Sequence, residues 1–262
     1  MEASATKRVV PFDVHYDKAE TCFTASYWLS IAVTSIALGL SIVEPNYGLD
    51  KDLSALIGYF NTLLIALYLF CDYRGSYLFR IAETERKLAF VDNTFGTKFS
   101  ESDTQGYYTN DHVGSGIYKL ATNNMESCFT SSKNLAYMYK RVLAKNLIII
   151  MLIAFAGFSG EGDYARIAAE SLVAGNFALE LFKMSVYSSR IKAILKEFYV
   201  LFQSLNPSHI TNVQTAQIMK QILEYETTVA WANIPLDNQN FTRNRAAWDS
   251  QWKGIKARYD IR

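Results

Sequence analysis

Glu170, Asn176, Glu180 and Lys183 stand where polar and charged groups are costly, inside the stretch Ile167–Tyr187, which is otherwise mostly apolar and about the length of a membrane-crossing helix. A charge at the bilayer centre costs at least about 2.5 kcal/mol, so such groups normally face a bundle interior or a water-filled path. Asn176, Glu180, Lys183 and Tyr187 are spaced by four, three and four, which puts them on one helix face. Two readings stand. Asn176, Glu180 and Lys183 line a pore or gate, or Glu180 and Lys183 pair at i,i+3 near the cytoplasmic end while Lys183 snorkels outward. A second polar stripe, Ser26, Ser30 and Thr34, is continued by Ala37 and Ser41. Small and hydroxyl residues on one face allow close helix packing in lipid. The same stripe is the second candidate for a pore lining.

Signatures of catalysis are missing. His15, His112 and His209 are scattered, without metal-ligand spacing. Gly114-Ser115-Gly116 with Lys119 lacks the ending and the preceding strand of a phosphate loop, and reads as a flexible turn before a helix. Glu83 and Glu85 are two apart and point to different helix faces. Cys22, Cys71 and Cys128 are odd in number and unclustered, so reduced thiols are expected rather than a disulfide framework or a zinc site. No metal, cofactor or enzymatic activity is expected. Basic and aromatic groups that could hold a phosphorylated ligand are Lys119, Lys133, Lys140 and Arg141 on one segment, and Arg243, Arg245 and Lys253 near Trp248 and Trp252 on another. The alternative is a solvated basic face beside anionic lipid.

The elements that position these residues are helical. The net charge of +1 (26 Lys+Arg, 25 Asp+Glu) argues against nucleic-acid binding by bulk charge. Half the residues are hydrophobic, yet mean hydropathy is only +0.01, because apolar runs alternate with charged stretches. Residues 1–23 form a polar lead-in without a secretory signal, in which 13–22 could be a short helix. Thr24–Val43 and Leu53–Cys71 are uncharged runs that predict a transmembrane hairpin around the turn-rich connector Glu44–Asp52. The second helix runs on into a charged segment to Asp92, the Gly-rich stretch Phe95–Gly116 reads as loop, and Ile117–Lys145 returns to helix. Residues 142–158 and 167–187 predict a second hairpin around Ser159–Arg166. Beyond it, an amphipathic stripe from Ile191 to Phe202, a helix over Thr211–Trp231 and a last helix over Arg243–Ile261 make a helical tail.

The expected fold is therefore all-α: an integral membrane protein with four transmembrane helices in two hairpins (24–71 and 142–187). A cytoplasmic helical domain is built from 72–141 and 188–262. Of the 26 Lys+Arg, only Lys51 and Arg166 fall in the two short connectors. The positive-inside rule then places both termini and the large loop in the cytoplasm.

Three stretches carry a resemblance. They are Arg86-Lys87-Leu88-Ala89-Phe90-Val91-Asp92 ending at Gly96; Gly116-Ile117-Tyr118-Lys119-Leu120 followed by Asn124-Met125-Glu126-Ser127-Cys128-Phe129; and Leu223-Glu224-Tyr225, Ile234-Pro235, Trp248 and Trp252. In order and spacing they resemble the SMODS-associated four-transmembrane effector family, with Glu126 and Glu224 at motif positions. That resemblance implies a bacterial anti-phage effector of the inner membrane, partnered with a nucleotidyltransferase. It implies a homo-oligomer, expected to be a tetramer, controlled by the partner's product: a cyclic oligonucleotide that activates, or a single-stranded DNA oligomer that holds the effector closed. A non-conducting membrane scaffold that docks a partner enzyme is the competing class.

Overall fold

The computed structural model describes residues 9–158 and 164–261, and it is all-helical. Among these residues there are six helices and no strand: α1 (Asp13–Tyr47), α2 (Lys51–Phe95), α3 (Ile117–Phe158), α4 (Tyr164–Phe202), α5 (Asn212–Ala232) and α6 (Asn238–Arg258). The first four are long, 35, 45, 42 and 39 residues, because each fuses an apolar run to a charged extension that the sequence reads as two pieces. The short helix expected over 13–22 is thus the start of α1, and the charged segment after Cys71 is a continuation of α2.

Helix ends follow local chemistry. The connector after α1 shrinks to Gly48–Asp50, since Glu44–Tyr47 stays helical. Gly48 adopts φ +62°, a left-handed conformation that glycine takes without a Cβ penalty. Gly96 ends α2 in the same way, with φ +70° and its N–H donating to the Asp92 carbonyl at 2.8 Å. Thr211 starts α5 with a capping box, its hydroxyl accepting from Gln214 N while the Gln214 side chain accepts from Thr211 N. Asp237 caps α6, so this helix begins five residues before the apolar pattern alone marks it.

The chain divides into two units. The first comprises Met1–Asp17, Phe79–Met138 and Met184–Arg262; the second comprises Lys18–Leu78 and Tyr139–Lys183. In the first unit, α3 is the central helix: residues 118–126 are all buried, polar ones included. The α4 stripe Ile191, Ile194, Leu195, Phe198, Leu201 and Phe202 is its buried face, as the period-3.6 pattern predicts. On α5, Ile218, Ile222 and Tyr225 are buried whereas Leu223 points outward, 59% exposed. The loop between α2 and α3 is anchored at both ends. Val9 and Gln105 exchange backbone hydrogen bonds of 2.9 Å each. The Asp92 carboxylate accepts from Thr97 Oγ1 (2.7 Å), Phe99 N (2.8 Å), Ser100 N (2.7 Å) and Ser100 Oγ (2.5 Å).

The second unit has the opposite surface. Among the described residues one helix, α2, is long and apolar enough to cross a membrane, with an 18-residue window of mean hydropathy 1.8, none of it buried. The side chains at 148–177, which include most of the third and fourth expected spans and Asn176, lie outside the described residues. Gly75 on α2 lies tight against α1, since a Cβ there would sit 3.1 Å from the Phe23 ring.

Candidate functional site

A cavity of about 160 Å³ opens in the first unit between the starts of α1 and α6, the charged part of α2, the loop before α3, and α3 itself. Its carboxylates are Asp13, Glu83, Glu126, Asp237 and Asp249, against the guanidinium groups of Arg86 and Arg245. Much of the rest is aromatic. Phe79, Tyr16, Phe12, Tyr107 and Tyr108 form a continuous chain of rings, each meeting the next edge to face at centroid distances of 4.7–6.1 Å. This alternation of inclined rings is the arrangement that the aromatic quadrupole favours.

Arg86 is the hub on one side. Burial works against its charge, and Glu83 and Glu226 more than restore it, so the guanidinium stays ionised. Its Nη2 donates to Glu83 Oε2 at 2.9 Å and to Glu226 Oε2 at 2.5 Å, and its Nε reaches both Glu83 oxygens at 3.2–3.3 Å. Tyr16 Oη donates to Glu83 Oε1. Burial, then the Glu83 charge, raises the Tyr16 phenol well above its ordinary range, so it remains a neutral donor. Removing one member of such a set strands the others in low dielectric.

Glu126 is the hub on the other. Its Oε1 accepts from Thr109 Oγ1 at 2.8 Å, and its Oε2 accepts from Asn110 Nδ2 at 2.7 Å and Thr109 N at 3.3 Å. Burial raises this carboxyl to about 7 despite those three donors. Among the described residues no Lys or Arg ion-pairs with it. Lys256, whose charge also pulls this carboxyl down, spends its Nζ on Thr109 O (3.0 Å) and Asn110 Oδ1 (3.5 Å).

Of the residues that the sequence marks for a phosphorylated ligand, the cavity gathers Arg245 alone, and Arg245 is occupied by Asp249 at 3.6 Å and the Gly106 carbonyl at 3.4 Å. Lys119 is buried on α3; Lys133 lies over the Phe129 ring at 5.5 Å; Lys140 and Arg141 are exposed and belong to the second unit. Trp252 is 2% exposed and stacks on Phe129, and Trp248 leans on Phe241, so both are packing residues of α6. Arg243 and Lys253 stay exposed on α6. Sequence reasoning missed Arg86, Glu226, Thr109 and Lys256, because their partners lie up to 147 residues away. One signal was readable: Glu83 and Arg86 are three apart on one helix face.

In the second unit, Ser26 and Thr34 are buried, and the Ser30 and Thr34 hydroxyls donate to the carbonyls of Tyr27 (2.8 Å) and Ser30 (2.6 Å) of their own helix. Asn146, fully buried, donates from Nδ2 to Glu180 Oε2 at 2.9 Å. Lys183 is half-buried, and its charge acts on Asp72. Together these features define an all-helical chain with an acidic, aromatic cavity in one unit and an apolar exterior on the other. Compared with family models, curated proteins and solved structures, the chain matches none of them.

Proposed function

We propose that the chain is an integral protein of the bacterial inner membrane with four transmembrane helices and a cytoplasmic helical domain. In this reading it works as an oligomeric, ligand-gated channel or pore of antiviral defence, controlled by the product of a partner nucleotidyltransferase. The observation that carries the membrane half is the exterior of α2. Leu53, Leu56, Phe60, Leu63, Leu67 and Phe70 are each 44–64% exposed. Residues 53–70 rise about 27 Å as a helix, close to the ~30 Å of a hydrocarbon core. Apolar surface on that scale is covered by lipid or by another copy of the chain.

The polar groups of the second unit fit the same reading. Asn146 donates to Glu180 across two helices, the kind of interhelical hydrogen bond that makes polar groups tolerable in lipid. The bacterial-defence half rests on the sequence resemblance. A polyanionic product would find its positive charge on the outer face of α6, which carries Arg243, Lys253 and Arg258, all exposed. The acidic cavity repels it.

The test is reconstitution in liposomes. Ion flux that responds to a cyclic dinucleotide or a short single-stranded DNA oligomer supports the channel, and Glu180→Gln with Asn176→Ala then alters conductance or selectivity. Flux that those changes leave intact removes the fourth span as the lining. A protein that inserts yet never conducts is the scaffold instead.

A further inference from the structure

We infer that the cavity of the first unit is a binding site for a small organic cation, an amine or quaternary ammonium compound, held between Glu126 and the Tyr16–Phe12–Tyr107–Tyr108 wall. This goes beyond the channel reading and does not depend on it.

Charge selects the ligand class. The ionisable groups facing the cavity are Asp13 and Tyr16 on α1, Glu83 and Arg86 on α2, Tyr107 and Tyr108 before α3, Glu126 on α3, Tyr187 on α4, Tyr225 on α5, the cap Asp237, and Arg245 and Asp249 on α6, and Lys256 on α6 acts on Glu126 from outside the lining. Both guanidinium groups are committed, Arg86 to Glu83 and Glu226, Arg245 to Asp249. Asp237 is held by the N–H of Asn240 at 2.7 Å. Glu126 differs from these. It is 8% exposed and three neutral donors hold it, while Lys256, whose charge acts on it, makes no direct ion pair and spends its Nζ on Thr109 O and Asn110 Oδ1. Its Oε1 accepts one of the three bonds and keeps capacity for another.

The wall selects within that class. A cation gains from the negative face of an aromatic ring, the more so once desolvated, and several rings around a charged group give the recognition chemistry of quaternary ammonium groups. Four linked rings beside a buried carboxylate supply both parts. An anion meets a surplus of carboxylates, and a neutral apolar molecule leaves Glu126 desolvated without compensation. Size narrows the class further. About 160 Å³ is well below the ~300 Å³ at which drug-sized pockets begin, so the ligand has few heavy atoms.

The probes are choline and its uncharged carbon isostere, 3,3-dimethylbutan-1-ol, titrated calorimetrically into the full detergent-solubilised chain in phosphate buffer. Choline is expected to bind saturably and at least tenfold more tightly than the isostere. Because Glu126 titrates near 7, affinity should rise about tenfold between pH 6 and pH 8, following its ionised fraction. Glu126→Gln abolishes that pH dependence and most of the affinity, and Tyr107→Ala weakens binding severalfold. Equal binding of charged and uncharged probes on the wild-type chain, or no saturable binding of choline, overturns the inference whether or not the variants fold. Choline binding that survives Glu126→Gln in a folded variant overturns it as well.

Discussion

Replacing Glu126 by Gln should make the first unit more stable in mild alkali and leave it unchanged in mild acid. The carboxyl's value rises from 4.5 to about 7 on folding, mainly through burial. A raised acid favours its protonated form in the folded state. Its contribution is therefore fully present below about 4.5 and is lost as pH rises through about 7. The difference of about 2.5 units corresponds to about 3 kcal/mol. For a unit of this size that is a shift of about 6–12 °C in melting temperature. Glutamine can keep the network. Its amide oxygen, in the place of Oε2, accepts from Asn110 Nδ2 and Thr109 N, and its NH₂ donates to Thr109 Oγ1, which reverses its role. The assay is thermal unfolding in amine-free phosphate buffer at several values between pH 5 and pH 8. It is read by tryptophan fluorescence, since Trp252 is 2% exposed against Phe129. Wild type should lose stability across that window more steeply than the variant, and the two should converge at pH 5. Parallel curves, or a variant less stable than wild type at pH 8, would refute a buried carboxyl raised mainly by desolvation.

Arg86→Met should cost about 3–5 kcal/mol, because it leaves Glu83 buried without its cation and Glu226 with only the more distant Lys87 at 3.7 Å, and chemical denaturation measures it. Adding Glu83→Gln and Glu226→Gln to Arg86→Met should recover part of that loss, the sign of a charge effect rather than a packing defect. Asp92→Ala should free the loop at 97–100 and cost about 1–2 kcal/mol, seen as faster amide hydrogen exchange at Phe99 and Ser100. Burial is the largest single influence and raises the carboxyl, but the hydrogen bonds from Phe99 N, Ser100 Oγ and N, and Thr97 Oγ1 together outweigh it and hold Asp92 at about 2. Its contribution is present above the ordinary carboxylate value and is lost only as pH falls through about 2. Thr211→Ala removes the α5 capping box and should cost about 1 kcal/mol, whereas Thr211→Ser should cost little.

The helices were readable from the sequence because apolar spacing is a local signal. The stripe from Ile191 to Phe202 reports its own buried face, and so do Ile218, Ile222 and Tyr225. Fusion of neighbouring pieces was harder to see. A change from apolar to charged residues at Asp72 alters what surrounds a helix without stopping it, since neither Gly nor Pro intervenes in a way that breaks the backbone ladder. The cavity was legible only in fragments. Tyr16 meets Glu83 across 67 positions and Lys256 meets Thr109 across 147, and no periodicity encodes such pairs. Of the cationic residues suited to phosphate, only Arg245 reaches the cavity, whose character is set by carboxylates and rings.

α6 shows how the two charge patterns can coexist and communicate. It carries five cationic residues and one acidic residue between Asn238 and Arg258. Two of the cations turn inward and are spent on the loop before α3: Arg245 on the Gly106 carbonyl, Lys256 on Thr109 O and Asn110 Oδ1. Those same two residues, Thr109 and Asn110, supply the donors that hold Glu126. In the proposed readings, a polyanion on the outward side of α6 and a cation at Glu126 would share α6 as a link, since Lys256 grips the 109–110 corner that holds Glu126. Either ligand shifts the other's binding only if that corner has two arrangements with different affinities. The coupling must then be reciprocal. If choline changes the affinity for a DNA oligomer by some factor, the oligomer must change the affinity for choline by the same factor, and Lys256→Met should reduce both effects together.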